Sequence, residues 1–100
     1  MNMHNPPHPG EFIKQTYLLP FDISQNQIAD SLCVARSTFN RLIRGLNGIS
    51  PEMAYRLSRV LGRSPESWLA LQAQYDLFQA GKVLRIGSLK RIEFDEAMGG

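Results

Sequence analysis

One stretch of the sequence decides the fold: residues 24–44 read SQNQIADSLCVARSTFNRLIR. Ser24 and Gln27 have the spacing of a capping box, in which the serine hydroxyl accepts a hydrogen bond from the Gln27 backbone N–H and the glutamine side chain bonds back to the N–H of Ser24. Ile23, one residue earlier, is placed to pack against Ile28 as a hydrophobic staple. The stretch therefore predicts a short amphipathic helix with a well-marked start.

A second helix is predicted from about Arg36 to Arg44, after a three-residue turn. Its inward-facing residues, at helical spacing, are Phe39, Leu42 and Ile43. In the first helix, Ala29 is small enough to let the two helices cross closely, and Val34 fills the angle at the turn. The stretch thus predicts two short helices held at a fixed angle.

The outer face of the second helix carries side chains suited to the edges of DNA bases. Arginine can make two hydrogen bonds to guanine, asparagine can make two to adenine, and serine can bond to either. The outward residues are Arg36, Ser37, Asn40, Arg41 and Arg44. The pattern therefore predicts a helix-turn-helix whose second helix reads DNA.

The spacing of this motif resembles that of the Cro and phage-repressor type of helix-turn-helix. The matching residues are Gln25, Ala29, Val34, Phe39 and Leu42. Cys33 departs from the pattern, since that family usually has glycine there, where the chain often turns through a left-handed conformation. Cys33 should cost about 1 kcal/mol or indicate a turn built differently. We expect a buried or half-buried turn residue; a redox switch and an exposed thiol without a role are the alternatives.

The length indicates one domain, and the helical patterning along the chain indicates that it is all-α. The chain has 100 residues, a single cysteine that excludes an intramolecular disulfide, and no apolar run long enough to span a bilayer. With no signal peptide, we expect a cytoplasmic protein without a membrane partner. The histidines, His4 and His8, lie in a proline-rich leader, and Cys33 is their only potential soft partner. We therefore expect neither a metal site nor a cofactor.

The charge distribution is more informative than the net charge of +2. Residues 33–63 contain six arginines and one acid, Glu52, whereas the rest of the chain has five basic and eight acidic residues. A basic segment within an otherwise acidic chain is typical of a surface that binds nucleic acid. A solvated arginine-rich surface without a ligand is the alternative.

The flanking segments complete a five-helix bundle of the lambda-repressor-like helix-turn-helix type. We expect an extended leader at residues 1–8, a DNA-binding domain at 9–81 and a C-terminal extension at 82–100. Three further helices are predicted, from Pro9 to about Leu18, from Pro51 to Gly62, and from Pro65 to about Ala80. In the extension, the alternating KVLRI at 82–86 is compatible with a short strand, and 88–94 with a helical turn before the acidic tail Glu93, Asp95 and Glu96.

The last long helix carries more large apolar side chains than one edge of a small bundle needs. Trp68 and Leu71 are expected to complete the monomer core. Tyr75 and Phe78 are then the candidates for a homodimer interface, because a single short reading helix covers few bases and such motifs usually bind half-sites as dimers. The C-terminal extension is a second candidate contact, to the other subunit or to another protein partner.

Taken whole, the chain resembles the HigA family of antitoxins from bacterial toxin–antitoxin modules. The resemblance covers residues 4 to about 80 and rests on HNPPHPGE at 4–11, on the helix-turn-helix, on GISPEMAYRLSRVLG at 48–62 and on SPESWLALQAQYDL at 64–77. It implies a homodimer that represses its own operon by binding operator DNA and that neutralises a HigB-like ribonuclease toxin. By position, the base contacts are Arg36, Ser37, Thr38, Asn40 and Arg41, and the phosphate contacts are Gln25, Gln27, Arg44 and Asn47. No residue carries over to toxin binding.

Two other functions remain open from the sequence. A stand-alone helix-turn-helix repressor with no toxin would have the same motif. A protein-binding module could use the same fold to present its arginines to an acidic partner. An enzyme is the least supported class, since no nucleophile with a base, paired carboxylates or metal cluster occurs at a usable spacing.

Overall fold

Five helices pack around one apolar core in the computed structural model, which describes residues 5–95. The first, α1, is a continuous helix of three segments: Pro9–Ile13, a π-helical turn at Lys14–Leu18, and Leu19–Phe21. The other four are α2 (Gln25–Leu32), α3 (Arg36–Ile43), α4 (Pro51–Leu61) and α5 (Pro65–Val83). The all-α, five-helix architecture predicted from the sequence is confirmed.

Four of the five described helices have a side-chain cap at their start, and α3 has none. The Ser24 hydroxyl accepts from the Gln27 N–H at 3.0 Å, and Ser50 and Ser64 make the same contact at α4 and α5. Within residues 5–95, only this half of the predicted capping box forms at α2. Helix α1 is capped instead by His8, whose Nδ1 accepts from the Gly10 N–H at 2.9 Å. These side-chain acceptors replace the bonds that the first N–H groups of a helix lack.

Three helices end in left-handed residues: Asp22 at φ 54°, Cys33 at φ 59° and Gly45 at φ 80°. At each, the next N–H bonds back across the last turn in a Schellman motif, as from Val34 to Ala29 at 3.2 Å. Cys33 thus keeps the left-handed turn that glycine usually makes. Its predicted burial is wrong, because a residue in this position points outward, and Cys33 is exposed.

The predicted end of α1 near Leu18 is also wrong. The helix passes through Pro20 and ends at Phe21. In the preceding π-helical turn the Leu19 N–H bonds to the Lys14 carbonyl, five residues back. This shift in the hydrogen-bond ladder allows a proline, which lacks an N–H, to follow within the same helix.

The C-terminal prediction needs two corrections. Helix α5 runs through Gly81 to Val83, so the first two residues of the predicted strand are helical. No strand occurs in residues 5–95; the chain instead makes one 3-10 turn at Ile86–Ser88, upstream of the predicted helical turn. A strand needs a partner for its backbone hydrogen bonds, and the domain presents no sheet to pair with. Of the acidic tail, Glu96 lies outside the described residues.

The core lies where the five helices meet, and each of them contributes buried side chains. Trp68 of α5 is fully buried, as predicted, and its indole N–H donates to the Gly62 carbonyl at 2.8 Å. Helix α1 crosses close to α3 at Gly10, since a Cβ at this position would lie 1.9 Å from the Leu42 carbonyl oxygen of α3. The described helices include none that is both long and apolar enough to cross a bilayer. The other fully or nearly buried apolar residues are Ile13, Leu18, Ile28, Ala29, Leu32, Phe39, Leu42, Ile49, Ala54 and Leu57.

Candidate nucleic-acid interface

Helix α3 has two faces of opposite character. Phe39 and Leu42 are 0% and 1% exposed and anchor the helix in the core. The predicted base-contacting residues lie on the other side: Arg36, Ser37, Thr38 and Arg41 are exposed, and Asn40 is half-buried. The structure therefore exposes four of the five and partly covers Asn40, on a helix that the core holds in place.

The turn between α2 and α3 is braced from α4. The Arg56 guanidinium donates to the Leu32 carbonyl at 2.7 Å and to the Glu52 carboxylate at 3.0 and 3.2 Å. A cation beside the last carbonyls of α2 complements the helix dipole and satisfies one of its free acceptors. Arg56 was part of the basic segment in the sequence, but its contacts give it a structural role.

Arg36, the first residue of α3, is paired with Asp30 of α2. Its Nε donates to one carboxylate oxygen at 3.0 Å and its Nη2 to the other at 2.7 Å. These hydrogen bonds hold the pKa of the Asp30 carboxyl below its usual value and raise the pKa of Arg36. Both side chains remain more than half exposed, at 59% and 57%. Sequence reasoning missed Asp30, because the pair is formed across the turn.

The loop after α3 is held from both sides. Arg41 Nε donates to the Asn47 side-chain oxygen at 3.3 Å, which brings a predicted base contact and a predicted phosphate contact together. From the other side, Gln72 of α5 accepts from the Ile49 N–H at 2.8 Å. Gly48 packs against the same glutamine, so that a Cβ there would lie 3.0 Å from its amide. The loop is therefore ordered by the body of the protein.

His8 connects the leader to this loop. Its ring lies 3.7 Å from where a Gly45 Cβ would be and packs edge-on against the Tyr75 ring, 4.9 Å between centroids. Burial lowers the pKa of His8 below its ordinary value, although a hydrogen bond to the Asn47 backbone and the charge of Asp76 act in the opposite direction. The neutral imidazole is therefore the form that fits this position.

The predicted phosphate contacts flank α3. Gln25 and Arg44 line one open depression, between the start of α2 and the end of α3, and Gln27 is exposed on the first turn of α2. Lys14 of α1 lines the same depression, with Glu11 one turn away. Sequence reasoning missed Lys14 as a cation on this surface. The signal in the sequence was a basic residue on the first predicted helix, directly after the apolar Phe12 and Ile13.

Five of the six arginines in residues 33–63 fall into two groups. Arg36, Arg41 and Arg44 lie on the helix-turn-helix and are exposed. Arg63 instead lies over the Phe12 and Trp68 rings, 5.1 and 5.4 Å from their centroids, and Arg56 caps α2. Part of the basic segment predicted to bind nucleic acid therefore makes contacts within the protein instead.

The two residues predicted for a dimer interface are half-buried. Tyr75 is partly covered by His8 of its own chain. The Lys82 ammonium lies over the Phe78 ring, 4.9 Å from its centroid. The neighbouring Leu77 is 66% exposed. The apolar surface of α5 therefore continues outward beyond the core.

The profile of the helix-turn-helix family matches residues 14–68, which contain both helices of the motif. The chain belongs to this family. The HTH-type transcriptional regulator YddM of Escherichia coli is 38% identical over 92 residues, which are 92% of this chain and 97% of the relative. The family consists of regulators and antitoxins rather than enzymes, as the sequence indicated.

Solved structures of antitoxins have the same fold. Pseudomonas aeruginosa HigA with the higBA promoter is 41% identical, with a TM-score of 0.71 over 75% of this chain and 82% of that one. Antitoxin GraA in complex with its operator is 37% identical, with a TM-score of 0.79 over 94% and 98% of the two chains. The resemblance to HigA antitoxins drawn from the sequence is confirmed.

Proposed function

We propose that this protein is the antitoxin of a type II toxin–antitoxin module. As a cytoplasmic homodimer it binds operator DNA in its own promoter and represses the operon, and it neutralises a HigB-like ribonuclease toxin. The observation that best supports sequence-specific DNA binding is the orientation of α3. Its Phe39 and Leu42 are buried in the core. Its Arg36, Ser37 and Arg41 are exposed to solvent. Structural relatives that are described with a promoter or an operator support the same role.

The proposed contacts divide by chemistry. Arg36, Ser37 and Arg41 enter the major groove, flanked by Thr38 and Asn40, because arginine, serine and asparagine match the donor and acceptor pattern of base edges there. Gln25, Gln27, Arg44 and Asn47 hold the backbone phosphates on either side, and Lys14 joins Gln25 and Arg44 at their depression. The phosphate contacts set the register in which α3 meets the bases.

The dimer is proposed on geometric grounds. Helix α3 is eight residues long and can reach only a few base pairs. Two copies on half-sites about 34 Å apart double the sequence that is read. Tyr75 and Phe78 are the proposed interface, since they adjoin the exposed Leu77 on α5.

DNA reading is tested with the full chain and a labelled duplex from upstream of its own gene. We expect a sequence-specific complex whose affinity falls between about 50 and 200 mM salt, because phosphate contacts release counterions. Arg44→Ala should weaken binding to all sequences and lower the salt slope by about 1. Binding no tighter than to an unrelated duplex would contradict the proposal.

The toxin is tested by co-expression with the neighbouring gene product. We expect a stable complex, and relief of growth arrest when the antitoxin is present. A chain that binds its promoter but has no such neighbour is a stand-alone repressor. The similarity to YddM, described as a transcriptional regulator, favours this as the second candidate.

A further inference from the structure

The first arginine of α3 is already engaged in the free protein. Asp30 accepts from Nε and Nη2 of Arg36, which share one edge of the planar guanidinium. Arginine has five N–H donors in a fixed fork. The edge formed by Nη1 and Nη2, at the end of the side chain, is therefore left with one hydrogen on each nitrogen. That edge has the spacing for a two-bond contact to guanine O6 and N7.

The local physics of α2 offers no reason for an acid at residue 30. Asp30 lies in the last turn of α2, where the helix dipole favours cations and disfavours carboxylates. It is also the single acidic residue in residues 24–48, on a surface that must approach phosphates. A negative charge there lowers affinity for every DNA sequence alike. A role in orienting Arg36 accounts for its presence.

We propose that Asp30 is a positioning residue that holds Arg36 with its free guanidinium edge directed at a guanine in the major groove. This inference rests on the proposed DNA reading. An arginine ordered before binding loses less conformational entropy in the complex, and its two-bond geometry is set in advance. Asp30 therefore contributes base preference through Arg36 without itself contacting a base.

The test is a selection of bound sequences from a randomised duplex library, with the full chain and five variants. Arg36→Ala should remove the preference for guanine at one base pair of each half-site. Asp30→Ala should lower the preference at that same base pair by about 5-fold or more. It should also raise affinity for unrelated DNA, since a negative charge is lost. In the Arg36→Ala background, Asp30→Ala should change base preference no further.

The controls separate orientation from charge. Asp22→Asn removes one carboxylate at the opposite end of α2 and keeps a residue that tolerates the left-handed conformation. It should leave the guanine preference unchanged. Asp30→Asn keeps an acceptor oxygen without the charge and should retain part of the preference. Thermal melts establish that each variant is folded.

Three results would overturn the inference. If Asp30→Ala binds the preferred site more tightly and keeps its guanine preference, Asp30 masks Arg36 and does not position it. If the preference is unchanged without a gain in affinity, the pair has no part in reading. A wild-type chain that selects no sequence would overturn the proposed DNA reading itself, and this inference with it.

Discussion

The inner and outer faces of α3 show how one short helix serves both the fold and the site. On the inner face, Phe39 and Leu42 are almost completely buried, and Gly10 allows α1 to lie against the backbone. On the outer face, the contacts of Arg36 and Arg41 are with polar side chains. Changes on the inner face should therefore reduce stability, and changes on the outer face should reduce DNA affinity alone.

The largest expected effect is at the crossing of α1 and α3. Gly10→Ala places a Cβ 1.9 Å from the Leu42 carbonyl oxygen, and the neighbouring backbone cannot move aside without shifting α3. We expect a loss of about 4 kcal/mol or more in the free energy of unfolding, measured by denaturant titration.

Gly81→Ala is the matched control for that substitution. A Cβ at Gly81 meets nothing within 4 Å, and the residue lies inside α5. Alanine should therefore stabilise the chain by about 0.5–1 kcal/mol. Equal changes in unfolding free energy for the two substitutions would show that α1 does not lie in close contact with α3 at Gly10.

The next largest loss of stability is expected from a substitution that leaves a cavity beneath α3. Phe39→Ala should lower the free energy of unfolding by about 3–5 kcal/mol, because the ring is fully buried. Where the variant still folds, its DNA binding should fall only as far as its folded fraction does. A variant that melts like the wild type would mean that the helix is rotated from the described orientation.

The inner face was largely predictable from the sequence. The helical spacing of Phe39 and Leu42 and the caps at Ser24, Ser50 and Ser64 depend on neighbours within one or two turns, and the structure confirms them. Other features departed from the usual local signals, in which proline and glycine end helices and alternation indicates a strand. The π-helical turn that admits Pro20, the extension of α5 past Gly81 and the missing strand partner of KVLRI are such cases.

On the outer face, Arg41→Ala should reduce affinity for the cognate site by about 1–3 kcal/mol and relax its base preference. Its effect on the free energy of unfolding should stay within about 0.5 kcal/mol, because the side chain is exposed. Fluorescence anisotropy and a denaturant titration measure the two quantities. Unchanged affinity would exclude Arg41 from base reading. A large loss of stability would contradict the expectation that changes on the outer face reduce DNA affinity alone.

The smallest expected loss of stability is at His8, which packs against the loop that follows α3. Its imidazole caps α1, so His8→Ala should cost about 1 kcal/mol at neutral pH. Because its pKa is lowered in the folded state, the unfolded chain binds more protons as the pH falls below the ordinary value of 6.5. Stability should therefore decline on the acid side and level off once folded His8 is protonated too.

His8→Asn is the control for the titration, since asparagine also caps helices but has no charge to gain. The difference in unfolding free energy between wild type and this variant should shrink or reverse in favour of asparagine between about pH 7 and 5. A difference that stays constant with pH would show that His8 is not held in its neutral form.

The outer face was predictable in part. The sequence identified which residues of α3 point outward, because they follow from the same helical period as the buried ones. It did not identify Asp30 as the partner of Arg36, nor Lys14 beside Gln25 and Arg44, since these contacts join separate helices. It also counted Arg56 and Arg63 with the charged surface, although their carbonyl and aromatic contacts are structural.

The most direct test is a protection footprint on the chain's own promoter, comparing the wild type with the double variant Arg36→Ala and Arg41→Ala at matched folded concentration. We predict a footprint of two half-sites for the wild type. The double variant should melt within about 0.5 kcal/mol of the wild type and leave no sequence-specific protection. The same footprint from both proteins would contradict the assignment of the outer face of α3 as the DNA-reading surface.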